Sequence, residues 1–88
     1  MKYRSRTDII GLILEATKGG VNKTKIMYKA YLSSMQLKEY LMILQEKGLI
    51  EYEEGHKTYR TTTKGIRLLR IFNNMEELTP SLKEIRKI

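Results

Sequence analysis

Asn22–Gly65 reads NKTKIMYKAYLSSMQLKEYLMILQEKGLIEYEEGHKTYRTTTKG, and the reading of this stretch decides the fold. Ile26 and Ala30 stand one helical turn apart, with Met27 beside them and Lys23, Lys25 and Lys29 left for water. Asn22 is placed to cap that helix, roughly Lys23 to Ala30, and Tyr31-Leu32 makes the turn after it. Ser33 then opens the best-specified helix in the chain. Ser33-x-x-Gln36 is a capping box, in which the serine oxygen accepts from a backbone N–H and the glutamine reaches back to the cap. Leu37, Tyr40, Leu41 and Leu44 recur at i, i+3, i+4 and i+7. Gly48 followed by Leu49 is a left-handed stop with an apolar residue folding back. From Leu49 to Glu53 the period changes to two, with Ile50 and Tyr52 on one face and Glu51 and Glu53 on the other. Gly55 marks a turn, and Thr58 to Thr61 returns as a second strand rich in Thr and Tyr. Thr62 or Thr63 caps a last helix. Gly65 lies in its first turn, where a bare α-carbon permits close packing.

Working outward, Ser5-x-x-Asp8 is a capping box with Asp in place of Glu, and it starts a helix carrying Ile9, Ile10, Leu12, Ile13, Leu14 and Ala16. Apolar residues over so wide an arc predict a largely buried helix, which Lys18-Gly19-Gly20 stops. Val21 is a short extended residue at most. Beyond Gly65, Leu68, Ile71, Met75, Leu78, Leu82 and Ile85 alternate by three and four, a heptad seam. Thr79-Pro80 fits a cap followed by a first helical position, so the seam is either one kinked helix or two. The element order specifies a mainly α chain with a small β-hairpin (α+β), a winged helix-turn-helix with a long C-terminal dimerisation helix. The expected division is residues 1–65 for the winged domain, with the wing at 49–61, and 66–88 for the pairing segment.

Composition narrows the function. Eighty-eight residues make one domain with a modest core. No run approaches the ~18 apolar residues of a membrane span, and the basic start MKYRSR leads into Asp8 and Gly11 rather than a clean apolar stretch. A cytoplasmic protein, associated with the nucleoid, is the expectation. There is no cysteine, and His56 is the only histidine, so the usual sets for metal, nucleophilic and acid–base chemistry are missing. Neither enzyme activity, nor a cofactor, a metal or a small-molecule ligand, is expected. The net charge of +7 is unevenly spread: residues 1–29 carry seven basic and two acidic side chains, 30–55 two and five, and 56–74 five and none. Two basic blocks brought together make a surface that attracts a polyanion.

In this geometry the front of the second helix approaches a major groove while the helix before it braces on the backbone. Stepping ~100° per residue from Leu37, the side away from the core holds Met35, Lys38, Glu39, Met42 and Glu46, and Ser34 and Gln36 lie at the tip. Gln36 has the groups for a bidentate adenine contact, Ser34 for a base or phosphate, and Met35 for a thymine methyl. Glu39 and Glu46 oppose phosphate and the helix has no arginine, so readout is expected to be weak or shape-based. Lys23 and Lys25 on the preceding helix, and His56, Lys57 and Arg60 on the hairpin, are candidates for phosphates. Arg4 and Arg6 alternate with Lys2 in a segment that reads as a gripping arm. Lys64, Arg67 and Arg70 form a positive stripe on the last helix. The seam either packs on the domain's own core or pairs with a second copy. A homodimer is expected because a chain this short offers little core, and it would present two reading helices to double-stranded DNA. The rival is a protein–protein interaction module that docks through Met35, Met42 and Ile43.

The motifs Lys25-Ile26-Met27-Tyr28-Lys29-Ala30, Leu32-Ser33, Gln36-Leu37, Tyr40-Leu41, Gly48-Leu49-Ile50 and Tyr59 through Gly65 resemble those of the small archaeal winged-helix DNA-binding proteins. The resemblance covers about two-thirds of the chain. It implies the winged fold, a DNA-binding role as regulator or nucleoid-associated protein, and dimers joined through a long C-terminal helix as a coiled coil. Thr79-Pro80 departs from the family pattern, in which the pairing helix runs on unbroken.

Overall fold

Ser5 starts the first helix as its spacing to Asp8 requires. Its hydroxyl accepts from the Asp8 N–H and its own N–H donates to the Asp8 carboxylate, both at 3.1 Å. The computed structural model describes residues 5–78, the last four of them by backbone alone. Among these residues α1 spans Arg6–Ala16, α2 Lys23–Ala30, α3 Ser34–Glu46, β1 Ile50–Glu53, β2 Thr58–Thr61 and α4 Thr63–Leu78. That is the winged helix arrangement: mainly α, with one antiparallel hairpin in which Ile50 faces Thr61 and Tyr52 faces Tyr59. Val21 exchanges both backbone hydrogen bonds with Tyr59, at 3.1 and 2.8 Å, and so flanks the other edge of β2.

The core is drawn from all four helices and β1, with Tyr59 of β2 packed against it. Ile13 and Leu14 of α1, Ile26 and Ala30 of α2, Leu37, Leu41 and Leu44 of α3, Leu49, Ile50, and Leu69 of α4 form one buried cluster. Each fully buried leucine or isoleucine is worth about 1.5–3 kcal/mol of transfer free energy. Burial of α1 is narrower than its composition predicts. Ile13, Leu14 and Ala16 are buried, Ile9 and Ile10 only half so, and Leu12 is exposed. The helix packs on α2 and α4 chiefly through its C-terminal half, and its opening turn lies at the rim of the core.

Two polar joints hold the layers together. The buried Thr17 and Thr61 hydroxyls are 2.6 Å apart, Thr61 donates to the Leu14 carbonyl at 2.6 Å, and Thr61 N–H donates to the Thr17 carbonyl. The end of α1 is thereby pinned to the end of β2. Thr62 forms the second joint. Its hydroxyl oxygen accepts from Gly65 N–H, capping α4, while the hydroxyl donates to the Gly48 carbonyl at 2.6 Å. Leu49 N–H meets the Leu44 carbonyl at 2.8 Å and Gly48 N–H meets Gln45 at 3.0 Å, the paired bonds that close α3 around a left-handed Gly48 (φ 72°). Gly65 faces the Leu49 carbonyl and the Thr61 methyl so closely that no Cβ fits there. The close approach expected from the bare α-carbon is realised against the sheet.

Candidate nucleic-acid interface

The turn between α2 and α3 is made by Tyr31 in the left-handed region (φ 53°), with Leu32 N–H returning to the Met27 carbonyl at 3.1 Å. Ser33 then caps α3: its oxygen accepts from Gln36 N–H at 3.2 Å, and its N–H donates to the Gln36 side-chain oxygen at 3.0 Å. Leu37, Leu41 and Leu44 turn α3 inward and Tyr40 is half-buried. The opposite side stands open, with Met35 75% and Met42 62% exposed, beside Ser34, Lys38, Glu39 and Glu46. Gln36 is exposed, but its amide oxygen is held by the cap. A bidentate adenine contact would have to share that oxygen with the cap, using its second lone pair.

On α2, Lys23, Lys25 and Lys29 are all exposed and the helix carries no acidic residue. On the hairpin, His56 and Lys57 are exposed at the tip. Lys57 is the left-handed residue there (φ 54°), not Gly55, and His56 N–H closes the turn onto the Glu53 carbonyl at 3.1 Å.

Arg60 has an internal task. Its Nε lies 3.2 Å from the Glu53 carboxylate, and its two amino groups donate to the carbonyls of Lys18 and Gly19 at 3.3 and 3.4 Å. Hydrogen bonds from the Thr58 hydroxyl and from Arg60, with the charge of Arg60 beside them, hold the Glu53 carboxyl below its ordinary range. Burial raises the Tyr59 phenol above its usual value, with Tyr52 adding to the shift, and the two rings lie 4.9 Å apart.

Arg6 is the first residue of α1 and not part of an arm, because Ser5 caps the helix ahead of it. It borders a groove of about 190 Å³ with Gln36, Glu39, Tyr40 and Ile43. Arg4 lies outside the described residues. On α4, Lys64 donates to the Lys47 carbonyl at 2.8 Å, serving the end of α3. Leu68 is half-buried against the core, whereas Ile71 is 54% exposed. The side chains of Met75 and Leu78 are not described, and Leu82 and Ile85 lie outside the described residues along with Pro80.

Two side chains that the sequence reading passed over stand out on this surface: Tyr28 at 76% and Tyr31 at 79% exposure. A helical projection of α2 would have found the first, since Tyr28 falls opposite Ile26 and Ala30, next to Lys25. The second carried no periodic signal, because it lies past the helix end.

Residues 3–80 match the family model described as winged helix-turn-helix. The structure is similar to the crystal structure of Sso10a-2, a DNA-binding protein from Sulfolobus solfataricus. The TM-score is 0.75 at 22% identity, over 96% of this chain and 90% of that one. No curated protein matches the chain.

Proposed function

The chain belongs to the winged helix-turn-helix family, and on that premise we propose that it binds double-stranded DNA, with weak sequence preference, as a homodimer. The observation that carries the reading is the uncovered outer side of α3 next to an α2 that bears only lysine charges. Ser34, Met35 and Lys38 face the groove, Lys23 and Lys25 hold phosphates ahead of it, and His56 and Lys57 do so from the wing. Arg6, beside the front of α3, reaches the same backbone, and Arg4 is proposed as a further N-terminal contact. Arg60 serves by fixing the wing to the Lys18-Gly19 turn.

Weak specificity follows from the chemistry of α3. The Gln36 oxygen is already shared with the cap, Glu39 and Glu46 flank the open side, and there is no arginine to take guanine. Binding of this kind suits a regulator or a nucleoid-associated protein of the cytoplasm. The Sulfolobus neighbour is itself described as DNA-binding, in line with this reading. Pairing is assigned to Leu68, Ile71, Met75, Leu78, Leu82 and Ile85, on the ground that Ile71 carries an apolar side chain into solvent.

A gel-shift salt titration tests the proposal. Five or six phosphate contacts per protomer, ten to twelve in the dimer, predict a slope of log K against log salt of about −10. Absence of duplex binding at low salt refutes it. Binding that survives charge reversal at Lys57 and Lys25 but is lost in Met42→Asp would instead identify the face of Met35, Met42 and Ile43 as a protein-docking surface.

A further inference from the structure

The described tyrosines divide by surroundings. Tyr40 spends its ring half-buried on the core, and Tyr52 and Tyr59 lie against each other in the hairpin. Tyr28 and Tyr31 are more than three-quarters exposed, three residues apart at the C-terminal end of α2. At ~100° per residue, Thr24, Tyr28, Lys25 and Lys29 fall within an arc of about 140°. Tyr28 therefore sits among lysines, with no carboxylate on the helix. Tyr31 holds a left-handed backbone (φ 53°) that glycine adopts without steric cost. A large aromatic side chain held at the surface in that conformation points to use of its exposed face.

The geometry points to an aromatic and basic platform for unpaired bases: Tyr28 and Tyr31 stack on consecutive nucleotides of a single strand while Lys25 and Lys29 neutralise its phosphates. A duplex hides its base faces in its own stack and offers a surface tyrosine only sugar and phosphate. An unpaired strand offers the faces themselves, and every base has one. The platform is thus a second mode of binding, beyond duplex recognition by α3.

The test measures anisotropy of the full chain with a labelled thymidine oligomer, a uridine oligomer of equal length, and a duplex of equal length. Tyr28→Ala combined with Tyr31→Gly is a mild pair for the fold, since alanine suits an exposed helical site and glycine suits the left-handed one. The pair is expected to weaken single-strand binding tenfold or more, and duplex binding less than twofold. Tyr28→Phe with Tyr31→Phe should retain single-strand binding, because stacking needs the ring and not the hydroxyl. The DNA and RNA oligomers separate the two sources of unpaired bases, and tight binding of either one meets the proposal. No single-strand binding by the unmodified protein at low salt, equal losses on single strand and duplex, or a loss in the phenylalanine pair as large as in the first pair, would each overturn it. Duplex binding that survives charge reversal at Lys57 with Lys38 would count against the duplex reading and leave the platform standing.

Discussion

Gly65 and Lys57 show how single backbone positions carry opposite demands. At Gly65 a side chain has nowhere to go, since the Leu49 carbonyl and the Thr61 methyl occupy its place. Gly65→Ala should cost about 1–3 kcal/mol by overpacking, read as a lowered denaturation midpoint with an unchanged slope. Lys57 is the reverse case: a lysine in the left-handed region at an open hairpin tip. Lys57→Gly should gain up to about 1 kcal/mol of stability by relieving that backbone. If the wing grips phosphate, the same variant should also lower duplex affinity and reduce the salt slope by about one per protomer, about two for the dimer. A variant more stable yet weaker in binding separates the two roles. Equal affinity would remove Lys57 from the interface. Gly65 was legible in the sequence because a glycine in the first turn of a helix calls for a reason. The Lys57 backbone was not, because left-handed lysine has no local signature and the neighbouring Gly55 draws the turn to itself.

Between elements, the joints decide more than the stripes. The Thr17–Thr61 contact is a buried hydroxyl pair 2.6 Å apart that links residues 44 positions apart in sequence. Thr17→Val should lose about 0.5–1.5 kcal/mol, since the Thr61 hydroxyl gives up its bond to Thr17 but keeps the Leu14 carbonyl. Replacing both threonines by valine should cost less than the sum of the single changes, and a double-mutant cycle reads that difference. The Glu53–Arg60–Thr58 cluster adds a pH dependence of known sign. The Glu53 carboxyl is lowered in the folded chain, so its contribution is present above the ordinary carboxylate range and is lost as pH falls through the lowered value. An acid titration of unfolding should show that sensitivity weaken in Thr58→Val. Helices α2 and α3 were legible to within a residue, since caps and apolar spacing are local facts. The task of Arg60 was not, because its partners Lys18 and Gly19 come from a turn far back in sequence. The partial exposure of α1 was hidden for a related reason: wide apolar coverage does not say where along a helix the neighbours stop.

At the scale of the whole molecule, the question is what covers Ile71. In a dimer built on the seam, Ile71→Asp or Leu78→Asp should produce monomers in sedimentation at micromolar concentration and should weaken duplex binding. A chain that sediments as a monomer before any substitution would refute the pairing. Ile71 lies on α4, whose 16 described residues make a rod of about 24 Å. The rod is anchored by Thr62, whose one hydroxyl caps α4 and also holds the last turn of α3 through Gly48. The helix proposed to pair and the helix proposed to read DNA therefore meet at a corner held by one shared hydroxyl. In an assembled pair, the distance and phase between the two reading heads are set by the arm, as on a fixed-span caliper. Lengthening α4 by one residue beyond that corner should turn each head by ~100° relative to the seam. The spacing of DNA sites it can bridge should shift accordingly, even though no residue that touches DNA has changed.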